Sequence, residues 1–271
     1  MTVGGMAEAR EAGGSVPNGD LSGRVALITG AGSGIGLGIA RVLARHGARL
    51  VLSDLDAGRV GAVAEELGAT ALEHDVTSWV SSRRAVEDTI ARHGHIDVLV
   101  NNAGVSKSVP FHELDEAEWD RVHNVNVKGV FLTTRAVVPH MMQRRAGSII
   151  SISSMVGKEA IPLFVHYSAS KFAVIGMTQG LAKEMAPYDV RVNAVCPGVV
   201  RTPLWEPLLN QLAENKGITR DEAWQEFVDP IPLGRPQEPE DIGEAVAFLA
   251  SDRARNMTGQ GINVTGGMQL H

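Results

Sequence analysis

A single cysteine, Cys196, stands in the chain of 271 residues, so no disulfide can form within it. Cysteine use this sparse fits a reducing compartment, and a cytoplasmic location is the expectation. No run of 18 apolar residues occurs, which excludes a transmembrane helix and makes a membrane partner unexpected. Positive charge is in deficit: 25 Lys and Arg stand against 31 Asp and Glu, a net charge of −6. Nucleic acid is therefore a poor partner. Residues 1–20 lack the apolar core of a secretory leader and read as a flexible N-terminal arm. His93 and His95 form the only close histidine pair, and no zinc-type spacing is completed around it, so no metal site is expected. Low-complexity linkers and composition breaks are missing too, so residues 21–271 read as a single domain.

What is present is alternation. Short apolar runs at 24–29, 49–53, 70–74, 96–100, 147–153, 190–195 and 261–264 alternate with helical periodicity at 34–46, 56–67, 78–93, 115–142, 167–185 and 239–250. The run Ile96 to Val100 is almost wholly apolar, as a strand covered on both faces must be. Strands separated by helices form right-handed crossover units and a parallel sheet, so the fold class is α/β. Residues 202–236 break the rhythm with five prolines and with Trp205 and Trp224. They read as an insertion packed over a site, a substrate lid.

The first strand runs into Thr29-Gly30-Ala31-Gly32-Ser33-Gly34-Ile35-Gly36, which opens the first helix. Glycines here allow a tight turn and close approach to a pyrophosphate, whose charge the helix N-terminus stabilises. No Gly-Lys-Ser/Thr follows, so a nucleoside triphosphate loop is excluded. A glycine-rich turn without a ligand is the plainer alternative. Asp54 closes the second strand 18 residues after Gly36. A carboxylate at that distance can hydrogen-bond both ribose hydroxyls of an adenosine and would repel a 2′-phosphate. Neither Ser33 nor Leu55 supplies a cation for such a phosphate, so NAD is favoured over NADP.

Tyr167 and Lys171 stand four residues apart in Tyr167-Ser168-Ala169-Ser170-Lys171, on one face of a helix. A neighbouring ammonium is expected to favour phenolate, letting the tyrosine exchange a proton with an alcohol or carbonyl oxygen. Tyr-x-x-x-Lys alone is a chance-level motif.

The combination is not. The glycine turn at 29–36, Asn101-Asn102-Ala103-Gly104, Ser154 thirteen residues before Tyr167, and Pro197-Gly198 resemble the short-chain dehydrogenase/reductase family from residue 21 to the end. The resemblance implies a doubly wound (Rossmann) fold with seven parallel strands in order 3-2-1-4-5-6-7, assembled as a dimer or, more often, a homotetramer. It implies a catalytic set of Asn126, Ser154, Tyr167 and Lys171. Ser154 would hold the substrate oxygen, Tyr167 would be the acid/base, Lys171 would also bind the nicotinamide ribose, and Asn126 would position a water. Ser153 and Asn124 are the adjacent competitors. For Asn126 a helix-distorting asparagine in a packed core is the alternative. The implied cofactor contacts are Gly30, Ser33, Gly34, Ile35 and Gly36 at the turn, Asp75 and Val76 flanking adenine, and Asn102, Ala103 and Gly104 on the adenosine side. Pro197, Gly198, Val200 and Thr202 would hold the nicotinamide end; Thr202 also reads as a helix N-cap before Pro203.

The substrate pocket is expected just after residue 104, at 155–166 and in 202–230. Met155, Ile161, Leu163, Phe164, Trp205 and Trp224 make it apolar to amphipathic, with Lys158, Glu159 and His166 as polar groups. His166 reads equally as a surface or capping residue, and Cys196 as a small buried one. Pro197 to Trp205, Pro232-Leu233-Gly234-Arg235 and Glu238-Pro239-Glu240-Asp241 are similar to acetoin/butanediol dehydrogenases. Gly261 to Gly267 is similar to sugar-alcohol dehydrogenases. The expectation is an NAD-dependent oxidoreductase interconverting a secondary alcohol and a ketone, a small diol or polyol. A 3-oxoacyl-thioester or hydroxysteroid reductase is the alternative. A non-catalytic NAD-binding regulator would need a broken catalytic set, and all four positions are filled.

Overall fold

The computed structural model describes residues 20–203 and 205–271; the expected N-terminal arm lies almost wholly outside them. Seven parallel strands form one sheet: β1 Val25–Thr29, β2 Arg49–Asp54, β3 Thr70–Glu73, β4 Val98–Asn101, β5 Gly147–Ile152, β6 Val190–Pro197 and β7 Gly261–Val264. Their spatial order is β3-β2-β1-β4-β5-β6-β7, the doubly wound order that the family resemblance implies. Register aligns Thr29 with Ser53, Ile28 with Val100, Asn101 with Ser151 and Ile152 with Val195. The strand ends Thr29, Asp54, Asn101, Ile152 and Pro197 therefore open along one edge of the sheet.

Both faces of the sheet are covered, and β1 shows why its sequence is continuously apolar. Ala26 and Ile28 join one core with Ile39, Leu43, Leu52, Ile242 and Val246. Val25 and Leu27 join the other with Val51, Leu99, Ile149, Val137 and Met141. Alternate residues thus serve opposite layers. Helices α1 Gly34–Arg45, α2 Ala57–Leu67 and α3 Trp79–His93 follow the first three strands. The last long helix, α9 Pro239–Ala250, lies against α1, where a Cβ on Gly38 would sit 2.3 Å from the Cβ of Pro239.

Three features depart from the sequence reading. The periodicity over 115–142 resolves into α4 Glu116–His123 and α5 Gly129–Arg144, joined by a π-turn at Asn124–Lys128. Strand β4 begins only at Val98, and just before it Asp97 turns its carboxylate to the backbone N–H of Val25 (2.8 Å) and to Arg144. The segment 202–236, expected as an insertion packed over a site with no helix assigned to it, contains α7 Trp205–Lys216 and α8 Arg220–Val228. A reciprocal cap between Thr219 and Glu222 starts α8, a signal that the surrounding prolines mask in the sequence. The remaining helix, α6 Val165–Met185, follows β5. Among the described residues no helix is long and apolar enough to cross a membrane.

Candidate active site

The glycine turn is a close-packed cradle. Gly30 has φ of 64° and Gly34 of 55°, backbone that favours glycine. A Cβ on Gly36 would lie 2.1 Å from the carbonyl oxygen of Gly30. Ser33 stands at the N-cap of α1 but makes no side-chain cap bond, so the first amides of α1 face outward. Ile35 packs onto the core behind them. Asn102 fastens the turn to β4: its Nδ2 donates to the carbonyls of Thr29 (3.0 Å) and Gly30 (2.9 Å). The Thr29 hydroxyl in turn accepts from the amides of Asn102 and Ala103.

Asp54 closes the acid side of this cradle. One carboxylate oxygen accepts from Gly32 N–H at 3.0 Å, the other from Asp56 N–H at 3.1 Å. Asp75 accepts from the amide and hydroxyl of Thr77 and so shapes the turn into α3, while the buried Val76 packs on Gly129. At the other end Gly198 donates to Val264 O (3.0 Å), and a Cβ there would meet Gln237 at 2.8 Å. Val200 is buried beside it. The methyl of Thr202 lies 3.5 Å from the place a Cβ on Gly34 would take. Thr202 is not a side-chain cap: α7 starts at Trp205, and it is the Thr202 carbonyl that accepts from Trp205 N–H. These residues fit an extended dinucleotide, with room for a pyrophosphate at the α1 amides and a carboxylate for the adenosine ribose.

Ser154, Tyr167, Lys171 and Asn126 come together where β5 meets α6. The two neighbouring serines divide their work. Ser153 donates its hydroxyl to Lys171 O at 2.9 Å and is spent on backbone, whereas Ser154 faces Tyr167. Lys171 is buried, and its Nζ donates to Ile152 O at 2.9 Å and sits 5.5 Å from the Tyr167 ring centre. Asn126, inside the π-turn, accepts from Val105 N–H (2.8 Å) and donates to Val105 O (2.9 Å) and the Ser170 hydroxyl (3.0 Å). Its side chain clamps the segment after β4 to α6, and Gly104 is packed between it and Lys171.

The i,i+4 spacing predicts a lysine that lowers the phenol's pKa; the structure shows the opposite balance. Burial pushes Tyr167 up to about 12, against a smaller downward pull from Ser154. Burial also pushes Lys171 down to about 8. Cys196 opposes the shift of Lys171 only in part, so the dry surroundings of both groups favour their uncharged forms.

Around this centre Phe164 meets Tyr167 edge-on at 6.3 Å, with Met155 and Ile161 half-buried nearby in sequence. Leu163 has φ of 68°, and its carbonyl accepts from Val109 N–H at 2.9 Å, joining two loops beside the site. Trp205 donates its indole N–H to Val200 O (2.8 Å) and packs edge-on against Trp224 and Phe227. Two expected polar groups are elsewhere. Lys158 is drawn to β7, where it donates to Gly261 O at 2.7 Å. His166 is fully buried and faces α4, its Nε2 3.6 Å from Glu118, because α6 begins one residue before it. His93 and His95 have separate partners, Thr70 and Asp97.

Comparison with known proteins agrees with this geometry. A family model described as enoyl-(acyl carrier protein) reductase matches residues 30–269. The 3-oxoacyl-(acyl-carrier-protein) reductase FabG of Thermotoga maritima is 40% identical over 255 residues, covering 92% of this chain and 99% of that one. Oxidoreductase UcpA of Salmonella typhimurium is 42% identical over 258 residues, covering 93% and 97%. The crystal structure of 3-ketoacyl-(acyl-carrier-protein) reductase from Brucella melitensis complexed with NADH superposes with a TM-score of 0.83 at 36% identity, covering 92% and 99%.

Proposed function

The chain belongs to the short-chain dehydrogenase/reductase family, oxidoreductases acting on CH–OH groups, and on that premise we propose that it is an NADH-linked reductase of 3-oxoacyl thioesters. The observation that carries the chemistry is the placement of the Tyr167 phenol beside the Ser154 hydroxyl, with Lys171 fixed behind it. The substrate class rests on the relatives named as 3-oxoacyl reductases, at full-length coverage. They support a thioester over the small diol or polyol that the local similarities suggest. The cofactor assignment rests on Asp54 beside Gly32, where a 2′-phosphate would meet a carboxylate.

In this reading Ser154 donates a hydrogen bond to the ketone oxygen and stabilises the charge that develops there. The hydride to the carbonyl carbon would come from the dinucleotide held along the glycine turn when it is bound. Tyr167 gives its proton to the same oxygen, completing the alcohol. A phenol that keeps its proton at neutral pH is suited to this direction. Lys171, fixed by Ile152, would hold the nicotinamide ribose of a bound dinucleotide and support the tyrosinate left behind. Asn126 holds the loop at Val105 against α6. Gly30, Ser33, Gly34, Ile35 and Gly36 take the pyrophosphate, and Asp54, Asp75, Val76, Asn102, Ala103 and Gly104 the adenosine. Pro197, Gly198, Val200 and Thr202 take the nicotinamide, and Met155, Ile161, Phe164 and Trp205 bound the acyl side. Helices α7 and α8 form a lid over the substrate. Homotetramer assembly belongs to this reading, and the exposed Phe131 of α5 and Phe172 of α6 are apolar surface it could cover.

The test is NADH oxidation at 340 nm with an acetoacetyl thioester, acetoin and simple ketones side by side. The thioester is expected to have a kcat/KM at least tenfold above the others. A higher value for acetoin or another diol-type substrate would overturn the thioester assignment.

A further inference from the structure

Asp54 is not alone at the adenosine end. Asp56 caps α2, accepting from Arg59 N–H at 2.9 Å, and its other oxygen takes the Arg59 Nε–H at 2.9 Å. This pair places an arginine directly beside the glycine turn: a Cβ on Gly32 would lie 3.2 Å from the Cβ of Arg59 and 3.0 Å from an Asp54 oxygen. Gly32, Asp54 and Arg59 thus meet at one point, where the ribose of an adenosine is expected. Scanning only Ser33 and Leu55 for a cation misses it, because Arg59 is brought there by the first turn of α2.

We infer that Arg59 is a latent anchor for a ribose 2′-phosphate, and that Asp56 and Asp54 together keep it from that role. Only Nε of Arg59 is engaged by Asp56. Among the described residues its two terminal nitrogens make no hydrogen bond, and they are the pair that grips a phosphate in a fork. Arg59 also feels the negative charge of Asp54 across the turn. With its Cβ already beside Gly32, Arg59 could swing its guanidinium to a 2′-phosphate, but that guanidinium is partly neutralised by two carboxylates. Selectivity for NADH over NADPH becomes the property of a three-residue balance. Asp56 is a specificity determinant with no contact to the ribose required of it. The Asp56–Arg59 pair is exposed and so weak, which makes the balance easy to tip.

The inference rests on the NADH assignment but not on the substrate, and its test uses no substrate. Dissociation constants for NADH and NADPH are measured by nucleotide fluorescence on the full chain at low and high salt. Four variants are compared with wild type: Asp54→Ser, Asp54→Ser with Arg59→Leu, Asp56→Ser and Arg59→Leu. Serine at 56 keeps an N-cap for α2, so folding is preserved. Asp54→Ser is expected to tighten NADPH at least tenfold, and adding Arg59→Leu to abolish that gain. Asp56→Ser should tighten NADPH several-fold while NADH stays within about twofold. The gains should shrink at high salt. If the double variant keeps the Asp54→Ser gain, or Asp56→Ser leaves NADPH unmoved, the role of Arg59 is refuted. Wild type that binds neither dinucleotide refutes it as well. Failure to reduce thioesters, with these shifts intact, would overturn only the substrate.

Discussion

Lys171 reaches across the site to donate from Nζ to the carbonyl oxygen of Ile152, 2.9 Å away, so the reactive face of α6 is tied to the last residue of β5. The ammonium is held in place by the strand and not by a carboxylate, which is why burial drags it down to about 8. Burial likewise pushes Tyr167 up to about 12, against a smaller pull from Ser154. Reduction uses the protonated phenol, and oxidation uses its deprotonated form. Oxidation of the alcohol should therefore accelerate steadily as pH rises from 6 to 10, still below the phenol's value of about 12, while reduction holds over that range. The two groups titrate as a coupled pair, so the limbs belong to both. Rate profiles in both directions from pH 6 to 10 check this, and a flat oxidation profile would contradict it.

The division of labour between the adjacent serines is testable. Tyr167→Phe should lower kcat by about 10²–10⁴-fold, with NADH affinity and melting temperature nearly unchanged. Ser154→Ala should lower it by about 10²–10³-fold. Ser153→Ala instead removes a bond to the α6 backbone and should cost roughly 1 kcal/mol of stability, with a much smaller effect on rate. Comparable kcat losses in the two serine variants would break the assignment.

Two glycine-to-alanine changes should move in opposite directions. Gly36→Ala drives a methyl to 2.1 Å from Gly30 O, and loss of NADH binding is expected. Gly61, in the middle of α2, has open space around it, so Gly61→Ala should raise stability by about 0.4–1 kcal/mol. Nucleotide titration and thermal unfolding of the pair report both effects.

His74 carries an acid sensitivity. Its ring lies between the hydroxyls of Ser53 (3.1 Å) and Ser82 (3.1 Å), and burial pushes its pKa from 6.5 to about 4. The unfolded chain binds the proton more readily. Stability from this group is therefore complete above about pH 6.5 and declines as pH falls toward 4, by roughly 3 kcal/mol over the interval. His74→Gln should flatten that part of the urea-denaturation curve against pH. An unchanged slope would show that other groups dominate.

Strand positions and a parallel sheet were legible from alternation, which is local, whereas the sheet order and the convergence of Ser154, Tyr167 and Lys171 were legible only through the family resemblance of the motifs taken together. What was not legible depends on tertiary placement. The phenol's pKa follows from how dry its surroundings are, and spacing says nothing of that. Lys158 and His166 lie in the expected pocket stretch, yet the backbone aims one at β7 and the other at α4. Trp205 and Trp224 are drawn to each other across α7 and α8, helices whose signals the prolines of 202–236 obscure. Arg59 was hidden because its place beside Gly32 is fixed only once α2 is capped by Asp56.

The π-turn at Asn124–Lys128 holds one residue more than a regular helical turn needs. Each residue of an α-helix carries the next about 100° around the axis. Shortening this stretch by a single residue would restore a continuous helix, and in doing so would swing Asn126 off Val105 or twist α4 out of step with α5. The region is thus more vulnerable to a frame-preserving deletion of one codon than to most substitutions at its exposed positions. It has the character of an insertion that became indispensable once the loop after β4 came to lean on it.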